Sequence, residues 1–125
     1  MPKRRILCVS FDKMVSENRR DALKEAGYDV TATSDVKVAL ELLSPGSFDA
    51  VIVGHRFSPE EKYLLAVEAE EKSNTRVILV CGSATRDSEI PATSRVYALE
   101  GSEGLLSALS ALLPANAESR SQVAA

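Results

Sequence analysis

Short, continuously apolar runs alternate along this chain with segments whose apolar residues recur every three or four positions. Ile6 to Val9, bounded by Arg5 and Ser10, has the β-branched, uninterrupted pattern of a strand buried on both faces. Val15, Ala22, Leu23 and Ala26 then fall on one side of a helical repeat, with Glu17, Arg19, Arg20, Lys24 and Glu25 mostly elsewhere and Gly27 in the C-terminal capping position. Tyr28 to Ala32 predicts a second strand. Ser34 or Thr33 is placed to cap a second helix built on Val36, Ala39, Leu40 and Leu43, which Pro45-Gly46 stops. Asp49 to Val53 predicts strand three. Ser58-Pro59 opens a helix running to about Lys72, with Leu64, Leu65, Val67 and Ala69 as its apolar residues. Val77 to Val80 and Val96 to Leu99 predict strands four and five. Leu105, Leu106, Ala108, Leu109, Leu112 and Leu113 form the stripe of a last helix, ended by Pro114. Between strands four and five, GSATRDSEIPATS is polar and contains Pro91, so at most a stunted helix is expected there.

Strands alternating with helices imply right-handed crossovers and a parallel sheet covered on both faces. The expected architecture is a doubly wound, five-stranded α/β/α sandwich with a shortened fourth helix. One domain is expected over 1–113, followed by a flexible tail over 114–125 that carries no apolar stripe. The 125 residues, 45% of them hydrophobic and 26% charged, suit one globular core. A net charge of −3 supplies no general attraction to nucleic acid or to an anionic membrane. Cys8 and Cys81 each lie inside an apolar run, which fits buried thiols in a reducing compartment. No stretch reaches the roughly 20 apolar residues of a membrane span, and MPKRR is not followed by a signal-peptide core, so a cytoplasmic location is expected.

In a doubly wound sheet, chemistry gathers at the carboxyl ends of the strands. Here those ends carry Ser10-Phe11-Asp12, Gly54-His55-Arg56, Cys81-Gly82-Ser83 and Glu100-Gly101. The runs RILCVSFDK, ALKEAGYDV and FDAVIV resemble the first strand with its acidic turn, the first helix running into strand two, and the third strand of the receiver domain of two-component response regulators. The resemblance spans roughly residues 4–113 and implies the flavodoxin-like, CheY-like fold. In that family two acidic residues after strand one hold Mg²⁺ and an Asp ending strand three accepts the phosphoryl group. A Thr or Ser ending strand four binds its oxygens, and a Lys after strand five neutralises it.

Carried over one at a time, these positions fall on residues of the wrong chemistry. The acidic pair falls on Ser10 and Phe11, with Asp12 one place further on, whereas Mg²⁺ takes hard oxygen ligands that normally include carboxylates. The acceptor falls on Gly54, which has no side chain to attack phosphorus. The hydroxyl position falls on Cys81, a weak donor, and the lysine position on Glu100, whose sign is reversed. The expectation is a pseudo-receiver that is not an enzyme, needs no metal or cofactor, and works in phosphorelay-type signalling through protein contacts. Its partners would be another receiver-like domain, a histidine kinase or an output protein. A homodimer through the surface of the fourth helix, strand five and the last helix is one form of this, with Tyr97, Ser107, Ser110 and Ala111 as interface candidates. The alternative is a small anion or nucleotide held in the crevice at the strand ends by His55, Arg56 and Ser83.

Overall fold

The structure is a computed structural model and describes residues 4–43, 48–72, 75–81, 90–97 and 101–113. Its strands are β1 (Arg5–Val9), β2 (Asp29–Thr33), β3 (Ala50–Val53), β4 (Arg76–Cys81) and β5 (Ser94–Tyr97). Among the described residues the helices are α1 (Lys13–Glu25), α2 (Val36–Leu43), α3 (Pro59–Val67) and α4 (Gly101–Leu112). α3 continues into a wider π-type turn over Glu68–Lys72. The strands form one parallel sheet in the order β2-β1-β3-β4-β5, so the doubly wound arrangement expected from the alternating pattern is the one observed.

Side chains alternate across a strand, and in the central strands both faces are apolar. Leu7, Val9, Val51, Val53, Val77 and Leu79 pack on one face against Ala39 and Leu43 of α2 and Leu65 and Ala66 of α3. Ile6, Cys8, Ala50, Ile52, Ile78 and Val80 pack on the other against Leu23 of α1 and Leu105 and Leu109 of α4. The buried Tyr28 hydroxyl donates to the Leu113 carbonyl at 3.0 Å, tying the start of β2 to the end of α4. No described helix is long and apolar enough to cross a membrane.

Local signals set most boundaries. α1 begins on Asp12, whose carboxylate accepts the Met14 amide at 2.8 Å, and its last turn is followed by Gly27 at φ 104°, the left-handed conformation that glycine adopts without steric cost. α3 begins on a capping box in which the Glu61 amide donates to the Ser58 hydroxyl and Glu61 accepts the Ser58 amide at 3.1 Å.

Four expectations are corrected. The second helix is capped by Asp35 rather than Ser34 or Thr33: Asp35 directly precedes the helix, and its carboxylate accepts the amides of Lys37 at 2.9 Å and Val38 at 3.4 Å. The Thr33 hydroxyl instead accepts the Asp35 amide. β5 starts at Ser94, two residues before the apolar run suggests, because Thr93 binds the backbone of Val77 on both sides and sets the pairing through polar residues of an edge strand. Leu64 is 54% exposed, since Leu65, Ala66 and Ala69 turn inward and leave it on the outer side of α3. Arg19 is on the inward side of α1, between Ser16 and Leu23 at helical spacing. The expected short fourth helix lies mostly in 82–89, and the expected tail in 114–125, both outside the described residues.

Replacing Asp35 by Ala is expected to lower stability by about 1 kcal/mol. Ser34→Ala should stay within roughly 0.5 kcal/mol of the parent. Urea unfolding of the two variants checks the cap directly.

Candidate functional site

Parallel pairing of β1 with β3 places Val9 beside Val53, and the Gly54 amide donates to the Val9 carbonyl at 2.8 Å. Ser10 and Gly54 therefore leave the sheet side by side at its centre. Ser10 is buried, follows Cys8 on the face covered by α1, and accepts a hydrogen bond from Arg19 Nη1 at 3.0 Å. Positions 50, 52 and 54 share that face. A Cβ built on Gly54 would lie 3.1 Å from the Val9 oxygen, 3.2 Å from the Ser10 Cα and 3.7 Å from Arg19 Nη1. The end of β3 thus presents backbone to a guanidinium.

Burial lowers the Arg19 pKa from its ordinary value, yet the group stays charged at neutral pH. Its neighbour Cys8, whose Sγ is 3.9 Å from Ser10 Oγ, has its thiol pushed up by burial, against smaller opposing effects of the Ser10 contact and the Arg19 charge. Arg19 is the residue of this site that charge patterning alone misassigns. The signal available was its place between Ser16 and Leu23, at i+3 and i−4, both of which are buried.

Of the remaining predicted residues, Phe11, Asp12, His55 and Arg56 line one small space with Ser10, Arg19 and Gly54, and Cys81, Tyr97 and the α4 residues lie apart from it. Asp12 spends its carboxylate on the α1 cap. Phe11 is 58% exposed and meets Phe57 edge-on at 5.8 Å and 74°, while the Arg56 guanidinium lies 5.8 Å from its ring centroid. His55 is half-buried and lines the same small space as Ser10, Arg19 and Gly54. That space measures about 20 Å³, room for one water molecule. Cys81 is buried on the opposite face of the sheet from Cys8, with Sγ 3.9 Å from the Leu79 carbonyl. Tyr97 closes β5 opposite Cys81. Ser107, Ser110 and Ala111 form an exposed strip on α4. Ser83 and Glu100 lie outside the described residues.

Among the described residues the donor set does not suit Mg²⁺. At the ends of β1 and β3 stand a hydroxyl already bonded to a guanidinium, an aromatic ring, and a single carboxylate whose Oδ1 is bonded to backbone amides. Among the described residues, no three His, Cys, Asp or Glu side chains converge on one point that would hold a metal.

Gly54→Ala is expected to destabilise the fold by about 1 to 3 kcal/mol, because the contacts it forces are with backbone atoms that have little room to yield. Cys8 produces a pH effect of definite sign. Its folded pKa lies above its unfolded value, so the contribution is fully present below about pH 9 and is lost as pH rises through the folded value. Stability should therefore fall above about pH 9, and less steeply in Cys8→Ala, as read from urea midpoints at successive pH values.

No protein-family model and no curated protein sequence matches this chain. Solved structures do match. A response regulator receiver protein from Sinorhizobium medicae WSM419 is 28% identical with a TM-score of 0.78, over 90% of this chain and 96% of its own. A CheY-like response regulator receiver domain protein from Methanospirillum hungatei JF-1 is 16% identical with a TM-score of 0.75, over 90% and 94%. The response regulator TrrA from Thermotoga maritima, in complex with Mg(2+)-BeF, is 22% identical with a TM-score of 0.73, over 88% and 99%. With the strand order β2-β1-β3-β4-β5, these likenesses give the chain the flavodoxin-like α/β fold of CheY-like response regulator receiver domains.

Proposed function

We propose that this chain is a receiver-like signalling module of the two-component type that acts through protein contacts and does not accept a phosphoryl group. One observation carries the reading. The third strand ends in a glycine whose missing side chain would run into the β1 backbone, and the cation facing it is the chain's own Arg19. A receiver reaction needs a carboxylate nucleophile at the end of the third strand and a metal-neutralised phosphoryl group; position 54 offers no carboxylate, and Asp12, which lines the same space, has Oδ1 engaged in the α1 cap. With Arg19 anchored on Ser10, the site is closed by packing and by its own ion, independent of a phosphoryl ligand.

Contact function is supported by the exposed Ser107, Ser110 and Ala111 strip of α4, which runs beside β5 and carries no charge. The partner that suits it is a protein: a second receiver-like domain, a histidine kinase or an output protein.

Incubation with acetyl phosphate and Mg²⁺, followed by intact-mass measurement, tests the central point. The mass is expected to stay unchanged. A stoichiometric phosphoryl gain that disappears on changing Asp12 or His55 would overturn the reading.

A further inference from the structure

Helix α1 lines two different spaces at the carboxyl end of the sheet. Asp12, Val15 and Arg19, spaced at i, i+3 and i+7, face the small space over Gly54. Lys13, Ser16, Glu17 and Arg20, at i, i+3, i+4 and i+7, face an open groove of about 710 Å³. Its other walls are the turn from β2 into α2 and the entry to α3. Phe11 stands between the two spaces and lines both. The larger volume falls in the range of small-molecule sites, roughly 300 to 1,000 Å³.

Three independent features give this groove a ligand chemistry. Ser16 lines it, is 2% exposed, and its hydroxyl has no hydrogen-bond partner among the described residues. Buried side-chain hydroxyls are ordinarily satisfied, and this one, just behind the groove wall, has its bonding capacity unused.

The charges are also unequally committed. Asp35 and Glu61 reach the groove, but Asp35 caps α2 and Glu61 closes the capping box of α3. Arg20 holds Asp21 through Nε only, at 3.2 Å. Lys13 and Lys37 are exposed and form no ion pair among the described residues. Asp35 and Glu61 keep their negative charge while capping, so three carboxylates face three cations, and among the described residues the charges with no bonded partner are Lys13, Lys37 and Glu17.

Finally, Phe11 keeps an apolar ring 58% exposed, yet Phe57 and Arg56 hold it in place. A fixed, exposed ring is a stacking surface for another planar group.

We infer that this groove binds a small organic anion composed of a planar ring and a phosphate or carboxylate head. The ring lies on Phe11, the head is drawn to Lys13 and Lys37, and the Ser16 hydroxyl, turned about χ1 into the groove, donates to a ligand oxygen. This site does not depend on the absence of phosphoryl transfer at Gly54, and its failure would leave that reading intact.

The test is amide NMR of the full chain titrated with adenosine 5′-monophosphate, with indole-3-acetate, and with inorganic phosphate as the head-only probe. At least one ring-bearing probe is expected to shift the amides of 13–20 and 33–37 with saturation in the millimolar range or tighter. A response to adenosine 5′-monophosphate alone assigns a phosphate head, and one to indole-3-acetate alone a carboxylate. The exposed pair Lys13→Glu and Lys37→Glu should weaken that binding roughly tenfold or more. Ser16→Ala should weaken it severalfold. Absence of groove shifts with both ring-bearing probes up to about 10 mM would overturn the proposal. So would shifts that persist unchanged in the double charge reversal, or inorganic phosphate binding as tightly as either ring-bearing probe.

Discussion

The backbone pairing of β1 with β3 is the constraint on which the other features rest. Both strands are shielded from water on both faces, so their amides and carbonyls must bond to one another. A shift of one residue would break the buried ladder and send every side chain to the opposite face. The register is thereby held, and the continuation of the pairing by Gly54 and Val9 brings the first and third strand ends together. Where two chains separate at this distance, the side chain of residue 54 has space only if the neighbouring backbone gives way.

That convergence determines the electrostatics of the strand ends. Placing a guanidinium in a half-buried position requires a partner, and Ser10 supplies an oxygen acceptor without supplying a countercharge. The positive charge is therefore permanent and only partly compensated, which raises the cost of bringing a metal dication into the same space. The neighbouring Cys8 thiol feels the same charge, but burial outweighs it and keeps the thiol protonated at neutral pH. In this way a cluster of Cys8, Ser10 and Arg19 joins β1 to α1 through the Ser10 hydroxyl, with no room beyond one water.

α1 carries this cluster and the wider groove on adjoining strips of its surface. The separation is geometric, since residues one position apart on a helix point about 100° apart. Phe11, at the turn into that helix, divides the two spaces, and its contacts with Phe57 and Arg56 connect the first strand end to the entry of α3. The β1 and β3 ends are thus linked through side chains as well as through the sheet.

Periodicity alone determined the alternation of strands and helices, because a strand buried on both faces and a helix with one apolar stripe leave patterns that no surface residue obscures. Gly27, Asp12 and the Ser58-Glu61 pair likewise act over a few residues and are readable locally, as is the absence of a carboxylate at position 54. β5 begins two residues before its apolar run because a polar edge strand is defined by its partner's backbone and not by its own hydrophobicity. Thr33 and Ser34 are sound capping residues, and Asp35 supplants them only because of where β2 releases the chain. Tertiary structure alone placed Arg19 on Ser10, by packing α1 back against the end of β1, and left Ser16 without a partner among the described residues beside a groove whose walls come from three separate segments. Local patterns express short-range hydrogen bonding and burial; the destination of a long cationic side chain is settled by which acceptor the packed sheet brings within its reach.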